Sequence, residues 1–287
     1  MNHYDEDDAA YEYFSKRKDR RKPKGRRSVK TLRTDRKTAK VSSQVFNDDS
    51  LQRLYERGFI TELVGELKSG KEATVYLVEG PKGLLAAKVY SDKQVSPFRN
   101  DQKYREGRYI ADQRIKKAID KRSIKGVSAQ QAIWVFHEYK ELWALYEAGL
   151  PVPEPVVGPG ADDIVQAGRT VLMEYLGTNE YAAPRLSDVR LSSEQAERAW
   201  QESVDIMRRL LKLGKIHGDL STYNLLWWQE RVYVIDFPQL VDIETNRNAP
   251  ELLEQDVNSL ATSFRRLGIR ADPDALLREM RAMIRSR

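Results

Sequence analysis

The chain has 287 residues, 40% of them apolar, which is enough for one two-lobed domain or two small ones and excludes a wholly disordered protein. It has no cysteine, so a disulfide scaffold and thiolate metal sites are excluded; no apolar run approaches the roughly 20 residues of a membrane span. The expectation is a cytoplasmic protein with no membrane partner.

The formal charge of +6 is unevenly placed. Residues 1–15 carry five acids and no Lys or Arg, whereas residues 16–40 carry 14 Lys or Arg against two Asp. The high pI therefore belongs to a tail, 1–45, that is acidic and then strongly basic. Such an apolar-poor segment buries too little surface to fold alone. Two readings stand: an arm contacting RNA or a ribosomal particle through phosphates, or a solvated linker. Without interleaved aromatic residues, binding by this arm would be weakly sequence-specific.

Apolar residues return near Phe46. Leu51, Leu54 and Tyr55 have helical spacing, with a stop at Gly58. The segments ELVGELKSG, KEATVYLVEG and LLAAKVY then alternate like strands, turning at Ser69-Gly70 and again at residues 79–83. Residues 91–131 are charged, with 11 Lys or Arg against five acids, and read as a mobile basic insertion. Residues 132–148 form a helix whose apolar face holds Ile133, Phe136, Leu142, Leu145 and Tyr146, ended by Gly149 and Pro151. Residues 169–177 read as a buried strand. Ser192 opens a long helix with Gln195 as capping-box partner. Ala196, Ala199, Trp200, Ile206, Leu210 and Leu213 form its buried face. Two short strands follow around NLLWW and RVYVIDF, then helices from Pro250. A strand-rich first half and a helix-rich second half predict two lobes.

The chemistry concentrates in IHGDLSTYNLLWWQERVYVIDF. Asn224 lies five residues after Asp219, and Asp236 lies 17 after it. Phosphoryl transfer needs such oxygen donors: Mg²⁺ takes one or two protein oxygens and completes its shell with water and phosphates. Asn224 and Asp236 suit the metal, and Asp219 suits the proton acceptor for the incoming hydroxyl. The H-x-D-x-x-x-x-N spacing matches a kinase catalytic loop. Lys88, in AAKVY, is costly to bury without partners and suits nucleotide phosphates plus a carboxylate. Glu138 and Glu141, one turn apart, compete to be that carboxylate, with Glu138 preferred. Ser69, Gly70 and Lys71 form a turn able to aim N–H groups at phosphates, although it lacks the G-x-G-x-x-G pattern. His217 reads as structural; of Trp227 and Trp228, at least one faces the core.

Six ordered motifs, SGKEATVY, AAKVY, AGLPVPEP, LMEYLG, HGDLSTYN and VYVIDFPQLV, together resemble the RIO kinases over roughly residues 50–285. The Rio-one-like branch of bacterial or archaeal type is the nearest. The resemblance implies an α+β, bilobal protein-kinase-like fold. Its small N-lobe (about 46–173) has an antiparallel sheet and a helix. Its helical C-lobe (about 177–287) has a truncated activation and substrate-binding region. It implies an Mg²⁺- or Mn²⁺-dependent enzyme that moves phosphate from ATP to protein serine, itself included, and hydrolyses ATP. By the match, Lys88 resembles the ATP lysine and Glu138 its helix partner. Met173 resembles the gatekeeper, and Glu174 to Leu176 the adenine-holding hinge. Asp219 resembles the catalytic aspartate, and Asn224 and Asp236 the metal ligands. In this family the last aspartate is also implicated as an aspartyl-phosphate intermediate, which extends to Asp236. Three departures stand out. Asp236 is followed by Phe-Pro rather than Phe-Gly. Ala249-Pro250-Glu251 lies too close to Asp236 to be an A-P-E signature and reads as a helix start. Arg105 and Glu106 stand where the family often has a phosphorylated serine, leaving Ser91, Ser96, Ser123 and Ser128. The rival functions are an ATPase switch on ribosomal particles and a small-molecule phosphotransferase.

Overall fold

The computed structural model describes residues 48–70, 73–90 and 124–286. The tail 1–45, Lys71, Ser91, Ser96 and Ser123 lie outside the described residues, as does the side chain of Ser128.

Helix α1 (Asp49–Glu56) begins where the Asp48 carboxylate accepts N–H bonds from Ser50 at 2.9 Å and Leu51 at 3.2 Å. Leu51 and Leu54 are buried, and the helix stops at Gly58, whose φ of 74° suits a residue without Cβ. Strands β1 (Glu62–Ser69), β2 (Ala73–Gly80), β3 (Gly83–Tyr90) and β4 (Thr170–Glu174) form one antiparallel sheet in chain order. Lys88 sits on the inner strand β3, opposite Val75 of β2 and Val171 of β4. Arg169 ties the sheet to α1. Its guanidinium donates to Asp48 at 2.8 Å and to the Tyr90 carbonyl at 2.7 Å.

Helix α2 (Ile124–Glu147) starts eight residues earlier than the apolar pattern predicts. Residues 124–131 are therefore helix, not loop. Their polar composition carries no 3.6-residue apolar stripe to announce it. Its buried positions include Val135, Glu138, Tyr139, Glu141, Leu142 and Leu145. Tyr146, expected on the apolar face, is 37% exposed and packs edge-on against Trp143. The Tyr139 hydroxyl holds α2 to the sheet. It donates to the Leu172 carbonyl at 2.6 Å and accepts from Leu172 N at 3.0 Å and Val157 N at 3.2 Å.

After the short helix α3 (Ala161–Gln166) and β4, the chain becomes helical. Helix α4 (Ser193–Lys212) carries the expected capping box between Ser192 and Gln195. Leu213, assigned to its buried face, is the C-cap and is 41% exposed, because the helix ends at Lys212 and the chain turns away. Strand β5 (Lys215–Ile216) pairs with β8 (Val241–Asp242), and β6 (Leu225–Trp228) with β7 (Arg231–Val234). Gln229 and Glu230, at φ 49° and 57°, make the tight turn between β6 and β7. Trp227 is buried and Trp228 half-buried, as strand alternation requires. Helices α5 (Ala249–Arg265) and α6 (Pro273–Arg285) close the lobe. Pro250 occupies the first turn of α5, so Ala249-Pro250-Glu251 is a helix start. The architecture is the α+β, two-lobed kinase type: antiparallel sheet with one long helix, then a helical lobe.

Candidate active site

Lys88 is the junction of the cleft. Its Nζ donates to Glu138 Oε1 at 2.6 Å and to Asp236 Oδ1 at 2.7 Å. The lysine side chain is 14% exposed and that of Glu138 2%, whereas the Asp236 side chain keeps 42% of its surface open. Burial alone would lower the Lys88 pKa. The charges of Asp236 and Glu138 outweigh it, and the ammonium is held well above its ordinary value. Burial would likewise raise Asp236, but Lys88 reverses the sign and holds the carboxyl below its usual range.

The competition between Glu138 and Glu141 is resolved geometrically. Glu138 meets Lys88, while Glu141 meets Lys215 at 2.9 Å. The second oxygen of Glu138 accepts from the Tyr90 hydroxyl. Lys88 Nζ also lies 5.1 Å from the centroid of the Tyr90 ring. Tyr90 was not singled out from sequence, although it stands two residues after Lys88 and so on the same strand face.

Asp219 follows β5 in a loop held from below. Asn224 Nδ2 donates to the Asp219 carbonyl at 2.8 Å and to Asp219 Oδ2 at 3.0 Å. Asp256, on α5, accepts from Gly218 N at 2.9 Å and Leu220 N at 2.8 Å, on either side of Asp219. Burial raises the Asp256 pKa to about 7, against the two N–H donors that favour its charge. Nothing in the local sequence marks Asp256, since its partners lie more than 30 residues away. Gly218 has φ 81°, which lets the chain turn into the loop.

His217 is buried, with one ring nitrogen 3.3 Å from the Ile235 carbonyl and its ring against Phe237 at 5.6 Å between centroids. Burial lowers its pKa to about 4, so it is a neutral packing residue at pH 7, in line with the structural reading. Phe237 is itself buried, and Leu240 N donates to its carbonyl at 3.1 Å. Asp236 adopts φ 76°, a left-handed conformation that Asp tolerates better than most residues.

Arg185 is a third residue that motif reading missed. A backbone bridge to Leu226 fixes it beside the β6–β7 hairpin, and Trp227 N donates to the adjoining Pro184 carbonyl at 2.8 Å. Its half-buried guanidinium is desolvated, which lowers its pKa, and it senses Asp188, Asp236, Tyr223 and Asp219.

The remaining predicted positions border this centre. Met173, half-buried on β4, bridges to Pro155. Glu174 ends the strand; its N–H reaches the Glu154 carbonyl at 2.7 Å, and its carboxylate accepts from Glu154 N at 3.2 Å. Leu176 is buried, and its carbonyl accepts from Ala183 N at 2.8 Å. Gly177 lets that segment pass closely, since a Cβ there would meet the Tyr175 ring and the Tyr181 carbonyl at 2.7 Å. Across the sheet, Gly70 N donates to the Ala73 carbonyl at 2.9 Å, and the Ser69 and Thr74 hydroxyls are 3.4 Å apart. Lys71 and Glu72, between Gly70 and Ala73, lie outside the described residues.

The donor set fits a hard divalent cation. Asn224 commits its amide nitrogen to Asp219, which leaves oxygen as its ligating end, and Asp236 supplies an accessible carboxylate. Among the described residues no helix is long and apolar enough to cross a membrane.

The RIO domain family profile matches residues 74–276. The chain is 34% identical over 243 residues to the RIO-type serine/threonine-protein kinase Rio1 of Haloferax volcanii, covering 83% of this chain and 76% of that one. It is 34% identical over 203 residues to the protein of the same name from Thermoplasma acidophilum, covering 70% and 96% respectively. Against the serine/threonine-protein kinase RIO1 of Caenorhabditis elegans it is 31% identical over 220 residues, which is 76% of this chain but only 40% of the worm protein. The chain thus spans most of the length of these archaeal relatives and less than half of the animal one. With a profile match over most of its length and archaeal relatives covered to three quarters or more, the chain belongs to the RIO family of serine/threonine-protein kinases.

Proposed function

We propose that this chain is an ATP- and Mg²⁺-dependent protein serine kinase that also phosphorylates itself and hydrolyses ATP, with Mn²⁺ able to replace Mg²⁺. The observation that carries this is the bridging of Glu138 and Asp236 by one buried lysine, beside the Asp219–Asn224 pair. Lys88 is pre-charged and oriented for nucleotide phosphates. Ser69, Gly70 and Lys71 cover them, and Met173, Glu174 and Leu176 line the adenine side. Asn224 and Asp236 hold the metal, which supplies electrostatic stabilisation of the phosphates. Asp219 accepts the proton of the attacking serine hydroxyl and orients its oxygen in line. Arg185 adds a second positive charge near the two aspartates. Purified full-length protein incubated with γ-labelled ATP and Mg²⁺ should transfer label to protein serine. Asp219→Ala should reduce that transfer by about 10²–10⁴-fold. Transfer unchanged by that substitution would remove Asp219 from the role.

A second reading, an ATPase switch, is favoured by the open carboxylate of Asp236. Here a carboxylate oxygen of Asp236 attacks the γ-phosphorus, the bond to the bridging oxygen of ADP breaks, and water later hydrolyses the acyl phosphate. Hydroxylamine-labile label on Asp236 would favour it; acid-stable label on serine would favour the kinase. This reading also assigns RNA or ribosome contact to residues 16–40, and a cytoplasmic place of action. Deleting residues 1–45 should then weaken association with ribosomal particles at physiological salt. Membership in a protein-kinase family argues against a small-molecule acceptor.

A further inference from the structure

The cleft residues leave unexplained a second ion cluster, in which Lys215 and Glu141 are largely buried and the Asp242 side chain is 50% exposed. Lys215 Nζ lies 3.0 Å and 2.9 Å from the two carboxylate oxygens of Glu141 and 2.9 Å from Asp242 Oδ1. The side chains of Lys215 and Glu141 are 17% and 5% exposed. Burial would lower the lysine's pKa, but Asp242 and Glu141 outweigh it and raise it, so Lys215 keeps its charge. One residue before Glu138, His137 Nε2 is 3.0 Å from the Leu240 carbonyl.

The placement of these groups has a direction. Glu138 and Glu141 are three residues apart on α2 and share a face. One grips Lys88 of the sheet, and the other grips Lys215 of the C-lobe ribbon β5·β8. Lys215 stands four residues before Asp219. Leu240 and Asp242 follow Asp236 by four and six residues. The helix that presents Glu138 is therefore fastened to both flanks of the segment carrying the catalytic pair.

Resting on the kinase reading above, we propose that Lys215 is a positioning residue. With Glu141 and Asp242 it latches α2 to the C-lobe and so keeps Glu138 on Lys88 before nucleotide arrives. Kinases that regulate the helix bearing this glutamate let it swing. Here the latch holds it in the paired position, so nucleotide meets a cleft already assembled. The cost of ordering the Lys88–Glu138 pair is met during folding rather than during binding.

The test uses the full chain, with mant-ATP and Mg²⁺ as the binding probe and hydrogen exchange as a readout that needs no activity. Lys215→Met should weaken mant-ATP binding about tenfold. It should speed exchange across residues 136–147 of α2 while leaving α4 and α5 protected as in wild type. Lys215→Arg, which keeps the charge and reach, should restore both. Glu141→Gln, nearly isosteric, should reproduce the Lys215→Met phenotype in milder form and serves if Lys215→Met fails to fold. Unchanged mant-ATP binding in a folded Lys215→Met or Glu141→Gln protein would overturn the proposal. So would exchange that rises equally in α2, α4 and α5, since that reports general loosening. A wild-type chain that does not bind mant-ATP would defeat the kinase reading instead. Exchange in α2 would then decide the latch alone, and no change there would sink it.

Discussion

Lys88 has two anionic partners drawn from different parts of the chain, a helix 50 residues on and a loop 148 residues on. A single point charge thus registers whether sheet, helix and C-lobe are in place together. Lys88→Met should therefore cost more than the loss of one phosphate contact. We expect kcat/KM for ATP to fall by about 10²–10³-fold, read from steady-state kinetics. The four positions assigned to the proposed site could be picked out because each needs a particular side chain at a fixed spacing. Tyr90, Asp256 and Arg185 were not, because hydrogen bonding to a residue remote in sequence leaves no local pattern. The choice of Glu138 over Glu141 was only half legible, since both share one helix face. The position of Lys215 decides it. His217 carries a pH consequence. Its folded pKa of about 4 lies below the unfolded value of about 6.5. The neutral form is the one the fold favours, so its contribution is fully present above pH 6.5 and is lost as pH falls toward 4. Asp256, with its pKa raised to about 7, works in the opposite direction over the same window, so the His217 contribution is read by comparison. In urea unfolding at stepped pH, wild type should lose about 3 kcal/mol more than His217→Gln between about pH 6.5 and 4. Equal slopes in the two proteins would remove His217 from that role.

At the scale of elements, helix starts and stops were legible where capping chemistry marks them. Ser192 with Gln195, Pro250 and Gly58 all behave as their residue types dictate. The start of α2 was not, because residues 124–131 lack apolar periodicity. The mutual fit of α2 and β4 was equally hidden, since it depends on one hydroxyl. Tyr139 serves two amides and a carbonyl of β4 and its neighbouring segment, all buried. Tyr139→Phe keeps the ring and strands those groups. It should destabilise the protein by about 1–3 kcal/mol in chemical denaturation. A loss no larger than that of an exposed Tyr181→Phe control would show that water replaces the hydroxyl.

At the scale of the whole molecule, buried and exposed ion pairs have different weights. Arg208 and Glu279 join α4 to α6 at 2.7 Å, and Arg281 and Glu254 join α6 to α5 at 2.8 Å, all with open side chains. Such pairs contribute about 0–1 kcal/mol each, and salt screens them. Arg281→Ala should therefore shift the unfolding free energy by less than about 1 kcal/mol, with a smaller effect at high salt. The two-lobed plan was readable from the order of strand-rich and helix-rich halves. How the lobes are fastened was not, since Glu141, Lys215 and Asp242 are unremarkable charges in sequence and meet only in the fold.

The grip of Asp256 on the amides of Gly218 and Leu220 sets a lower limit on the catalytic unit. Every phosphoryl-transfer motif has already passed by Asp236, so a fragment ending at residue 248 would satisfy any motif-based definition of a kinase. It would nonetheless leave the loop around Asp219 without the carboxylate beneath it. On the kinase reading proposed above, a working fragment would therefore extend into α5, a helix to which no reacting group is assigned.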